Sequence, residues 1–126
     1  MNKKPKKTKS EKVQTYLAFY EPMLNLEIRL YMGDEWEFEY WELLQEVSGR
    51  FLDTGEAGNT ITEPIEASDG WYFRAMRIRD KTSIRYLIHE MYHLVNAIKD
   101  AYDLGEEWGA YLIGWLAEEI YLQINN

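Results

Sequence analysis

Ile88-His89-Glu90-Met91-Tyr92-His93-Leu94 is the stretch on which the reading of this chain turns. Around it apolar residues recur at helical spacing, as Ile84, Leu87, Ile88, Met91, Leu94, Val95 and Ile98, which predicts an amphipathic helix. Thr82 or Ser83 can begin that helix by accepting a backbone N–H of its first turn. The pattern runs towards Tyr102, where Asp103-Leu104-Gly105 supplies a stop. On such a helix His89 and His93 leave one face, one turn above the other. Two ring nitrogens so placed can grip one tetrahedral zinc ion. Glu90 lies about 100° further round, from 3.6 residues per turn, where a base for a zinc-bound water belongs. These are the only two histidines in the chain, so their spacing carries weight. The bland alternative is a surface helix bearing two solvated imidazoles.

Composition narrows the field. At 126 residues the chain is one domain, long enough to bury a core without disulfides. It has no cysteine, which excludes disulfide scaffolds, thiolate zinc sites, iron–sulfur clusters and cysteine nucleophiles. A cysteine-free chain fits the cytosol, and a cytoplasmic location is expected. No apolar run approaches the roughly 20 residues of a membrane span, and the basic N-terminus lacks the apolar core of a secretion signal.

Charge is divided unevenly. Six of the 14 basic residues and one of the 22 acidic ones fall within residues 1–12. That segment is read as a disordered basic tail, with residues 13–126 as the folded domain. The rest of the chain keeps eight basic and 21 acidic residues. A body so acidic repels phosphates, so nucleic acid is not expected as a partner except weakly, through the tail.

Two strands stand out. Leu26-Glu27-Ile28-Arg29-Leu30-Tyr31-Met32 alternates as a half-buried strand, and residues 71–79 form the second. Arg77 and Arg79 end the latter on one face with Arg74 on the other. They are read as neutralising the acidic body, the other role being to hold a substrate carboxylate. Residues 36–47 switch to helical period, with Trp36, Tyr40, Leu43, Leu44 and Val47 on one face. Residues 13–20 suit a strand or a short helix. Residues 48–60 are rich in glycine and turn formers and are expected to be loop. Residues 61–67 suit an edge strand, because Pro64 is costly in a central one. Residues 106–124 form a strongly apolar last helix, whose Gly109 and Gly114 are expected to admit another element closely. The fold class is therefore α+β: a small sheet, a helix packed on it, and a C-terminal helical pair carrying the metal.

A catalytic zinc site usually has three protein ligands and one open position. With no further histidine or cysteine, the third ligand is expected to be a carboxylate. Glu107, Tyr111, Gly114 and Glu118 share one stripe of the last helix, and Ala110 and Gly114 are expected to let it pack against the motif helix.

Here the chain resembles the zincin metallopeptidases, and more closely the branch whose third ligand is a glutamate on the following helix. It looks most like small zincin-like proteins of phage and bacterial origin. The resemblance rests on His89-Glu90-Met91-Tyr92-His93 and on Glu106-Glu107-Trp108-Gly109-Ala110-Tyr111, and covers about residues 84–121. It implies zinc on His89, His93 and Glu107, Glu90 as catalytic base, and hydrolysis of a peptide or amide bond in a peptide or protein substrate. Glu107 requires the motif helix to end near Ile98. If that helix continues to Tyr102, Glu118 lies nearer the matching height. Tyr111 is read as a packing residue, its other role being to donate to a developing oxyanion. The alternative function is a catalytically inactive zincin-like module that binds a protein, with metal structural or absent.

Overall fold

Period-two alternation builds the centre of the sheet. In the computed structural model, which describes residues 16–32, 37–48, 58–79 and 83–124, β1 (Tyr16–Glu21) turns back antiparallel onto β2 (Leu26–Met32). The turn places Asn25 in the left-handed region at φ 54°, which asparagine tolerates better than most residues. β3 (Gly58–Glu66) and β4 (Tyr72–Ile78) form a second antiparallel pair. Their turn uses Gly70 at φ 86°, with Gly70 N–H donating to Ala67 O. β2 and β4 then pair in parallel, giving the order β1-β2-β4-β3. The fold is α+β, with a four-stranded mixed sheet and three helices. The predicted tail and the expected loop over residues 49–57 lie outside the described residues.

Both faces of the sheet are covered, which explains why β4 is buried nearly throughout. α1 (Glu37–Ser48) lays Tyr40, Trp41 and Leu44 on Tyr31, Ile61, Ile65, Phe73 and Ala75. α2 (Ile84–Tyr102) and α3 (Glu106–Ile124) close the opposite face over Phe19, Ile28, Leu30, Met76 and Ile78. Leu94, Met91 and Leu116 are fully buried there. Each such side chain contributes about 1.5–3 kcal/mol relative to exposure. Among the described residues no helix is long and apolar enough to cross a membrane.

α2 starts and stops where its sequence indicates. Ser83 accepts from Tyr86 N–H, and Asp103 closes the helix at φ 53°. Leu104 N–H reaches back to Lys99 O, satisfying one of the carbonyls that a helix end leaves open. The helix therefore runs to Tyr102 and does not end near Ile98.

Three details differ from the sequence reading. β3 begins at Gly58, inside the expected loop. Asn59 is buried and its Oδ1 accepts from Tyr40 OH at 2.8 Å, so tertiary contacts override the turn-forming composition. α3 packs through Gly109, Leu112, Leu116 and Ile120, while Ala110 and Gly114 are exposed. A methyl group on Gly114 would meet nothing within 4 Å, whereas one on Gly109 would lie 2.8 Å from Lys99 Cδ. Larger apolar side chains claimed the packed face, and only Gly109 serves close approach. Arg74, finally, does not sit on an acidic partner; its Nη1 donates to Thr62 O at 2.7 Å. Pro64 stands on an edge strand as expected, where its missing N–H leaves no ladder partner unsatisfied.

Candidate metal centre

The motif lies where α2 crosses β3 near the C-terminal end of β4, since Gly58 pairs with Ile78. His89 and His93 are exposed on the outer side of α2. Their Nε2 atoms approach to 3.1 Å and their rings meet edge to face at 4.7 Å between centroids. Two ligand nitrogens about 2.0 Å from a tetrahedral ion stand about 3.3 Å apart. The observed separation is close to that, so the pair fits one ion. If both rings are neutral, one Nε2 must donate and the other accept.

Glu90 is turned the other way. Only 6% exposed, it lies between α2 and β3, with Oε1 accepting from Thr60 Oγ1 at 2.7 Å. The same hydroxyl lies 3.0 Å from Glu90 O, and its single proton serves one of these acceptors at a time. Gly58 makes room for the carboxylate: a Cβ there would lie 2.8 Å from both Glu90 Cγ and Oε2. Thr60 and Gly58 are thus part of the site, and sequence reading missed both. The signal was available in the phase of residues 58–61. Gly58 and Thr60 alternate with Asn59 and Ile61, which face α1. Gly58→Ala is expected to force Glu90 off Thr60 and to destabilise the fold by about 1–3 kcal/mol. Chemical denaturation measures this, and a variant as stable as the parent would show that Glu90 moves aside freely.

No protein-family model matches the chain, and no curated protein or solved structure matches it. The site is read from its own residues.

The candidate third ligands do not join the histidines. Glu107 and Glu118 are both exposed, on a stripe roughly opposite the buried Gly109, Leu112, Leu116 and Ile120, at 100° per residue. Among the described residues, no group of three or more histidine, aspartate or glutamate side chains is placed to hold one ion. The Gly109–Lys99 contact sets the register of the α2–α3 pair. Counting equal rises from that contact along antiparallel helices puts Glu107 level with the end of α2 and Glu118 nearly level with Glu90; both glutamates are exposed. Tyr111 has a structural partner: its hydroxyl donates to Glu21 Oε2 at 2.6 Å. That hydrogen bond, with some desolvation and the carboxylate's charge, holds the phenol above its ordinary pKa. Glu21 is itself fully buried, and its Oε1 accepts from Leu24 N–H in the β1–β2 turn.

Proposed function

We propose that the chain is a small zincin-like metallopeptidase that hydrolyses a peptide or amide bond, with one zinc ion on His89 and His93 and Glu90 as the base. The observation that carries this reading is the 3.1 Å approach of the chain's two histidines; the role of Glu90 as base rests on the resemblance, its carboxylate being held on Thr60 between α2 and β3. Zinc bound there supplies a polarised carbonyl and a water acidic enough to ionise near neutral pH. Glu90 keeps Oε1 on the Thr60 hydroxyl, which leaves Oε2 to take a proton from water and deliver it to the leaving amine. Thr60 fixes the carboxylate's orientation, and Gly58 keeps the space behind it free.

Glu107 enters as third ligand on the resemblance alone, against the run of α2 to Tyr102. On that reading Glu107→Gln weakens zinc affinity at least about tenfold, because an amide oxygen is a neutral, poorer donor than a carboxylate. Glu106→Gln and Glu118→Gln leave it unchanged. Competition against a chelator of known strength measures all three. Loss in Glu118→Gln alone would transfer the role to Glu118. Equal affinity in all three would leave the histidine pair as the protein's contribution.

A second reading has its own support. Ile84, Ile88 and Tyr92, at 71%, 46% and 56% exposure, form a strip of α2 at four-residue spacing. Exposed apolar side chains beside the histidines suit a module that binds a protein without catalysis. Elemental analysis of protein purified without a histidine tag, followed by a peptide-cleavage assay, separates the two. About one zinc per chain with cleavage supports the peptidase; a zinc-free, inert chain favours the binding module.

A further inference from the structure

An open recess lies at the other end of α2. It has a volume of about 390 Å³, between the β1–β2 turn, the start of β4, the Pro64 bend of β3 and the last turn of α2. Such a volume falls within the range of small-molecule pockets. His93 and Ala101 are eight residues apart on α2, about 12 Å at 1.5 Å per residue, so this recess is separate from the histidine pair. Its walls are mainly apolar or aromatic, from Leu26, Pro64, Tyr72 and Tyr102. Its charged group is Arg74.

Arg74 is 4% exposed, an unusual burial for arginine. Its hydrogen bond to Thr62 O uses Nη1. No carboxylate among the described residues pairs with it, although Glu63 and the Tyr102 hydroxyl lie near enough to act on its charge. Burial works against the guanidinium and lowers its pKa from the ordinary value, with Tyr102 and Glu63 opposing that. The Nε–Nη2 edge is left with two parallel N–H donors, the planar pattern that a carboxylate matches with both oxygens. Asn25 adds a polar group at the rim; its Oδ1 already accepts from Tyr20 OH, so its amide N–H donors remain for a ligand.

We propose that this recess binds the carboxylate of a ligand with a small apolar body. The two carboxylate oxygens take the Nε and Nη2 protons of Arg74, and the body lies against Tyr72, Tyr102 and Pro64. A single guanidinium beside Glu63, in a chain of net charge −8, suits one negative charge better than the two of a phosphate monoester. The same chemistry is offered by a free aryl or alkyl acid and by the C-terminal residue of a peptide. None of this depends on zinc.

The test is an NMR titration of the full-length, metal-free protein with benzoate and with benzamide, its uncharged counterpart. It follows the Arg74 Nε–H and the Tyr72 and Tyr102 ring signals. Benzoate is expected to shift them saturably, and benzamide to bind at least about tenfold more weakly, the usual cost of losing a charge-assisted pair. Arg74→Lys keeps the charge but not the two-donor edge, and should weaken benzoate by a similar factor. A short peptide ending in a free phenylalanine carboxylate, compared with its amidated form, identifies the source. Tighter binding of the peptide acid than of benzoate assigns a chain terminus; the reverse assigns a free acid. Equal binding of benzoate and benzamide would overturn the proposal. So would no saturable shift from benzoate or the peptide acid up to about 10 mM, the weak end of specific binding. The benzamide comparison uses the unmodified protein, so it decides even if the Arg74 variant fails to fold.

Discussion

Glu90→Gln is expected to keep bound zinc and to lose hydrolysis by about 10²- to 10⁴-fold, the usual contribution of a positioned general base. The substitution preserves shape, so Thr60 Oγ1 can still donate to the amide oxygen as it now does to Oε1. The amide nitrogen then occupies the place of Oε2 beside Gly58, where it cannot accept a proton. Because His89 and His93 are untouched, zinc content serves as the internal control. Rates should be compared at equal zinc loading, alongside the thermal midpoint, which a purely structural Glu90 would lower without separating zinc from activity. Similar cleavage rates in variant and parent would rule out Glu90 as the base.

The second large effect is on metal binding itself. His93→Ala, and separately His89→Ala, should reduce bound zinc from about one per chain to nearly none, since one imidazole on an exposed helix face makes a poor site. Both rings are exposed, so without metal each variant should stay within about 0.5 kcal/mol of the parent. With zinc at 100 times its dissociation constant the parent gains about 2.7 kcal/mol. The variants should not. Calorimetry with and without zinc reads this difference, and zinc-dependent stabilisation that survives both substitutions would place the metal elsewhere.

Legibility followed the strength of local pattern. β2 and β4 could be read because alternation leaves little choice of face, and α2 could be read to both ends because Ser83 and Asp103 have local jobs. The histidine pair follows directly from that helix. Glu90 was legible as a position but not as an environment: Thr60 and Gly58 are 30 and 32 residues away in sequence, and no local rule joins them to α2. α3 was misjudged for a different reason. Apolar residues ring most of it, so its sequence offers several stripes of similar quality, and the sheet selects Gly109, Leu112, Leu116 and Ile120. The exposed side of α3 was therefore given the packing role. Arg74 shows the same limit, since burial of a charged residue in a strand depends on which helix covers that face.

The parallel seam between β2 and β4 also bears on how the chain reaches this structure. β1 with β2, and β3 with β4, are hairpins closed by short turns, so each can form from neighbouring residues. Their junction is another matter: Leu30 pairs with Met76 across 46 residues of sequence. Closing that loop costs chain entropy before any side chain is packed on either face. The middle of the sheet, its most buried part once complete, is thus the part that local assembly cannot supply. Until the seam forms, the β3–β4 hairpin that carries Thr60 and Gly58 has no fixed partner in β2, whereas α2 follows β4 directly, so Glu90 can meet Thr60 within residues 58–102 before the sheet is complete.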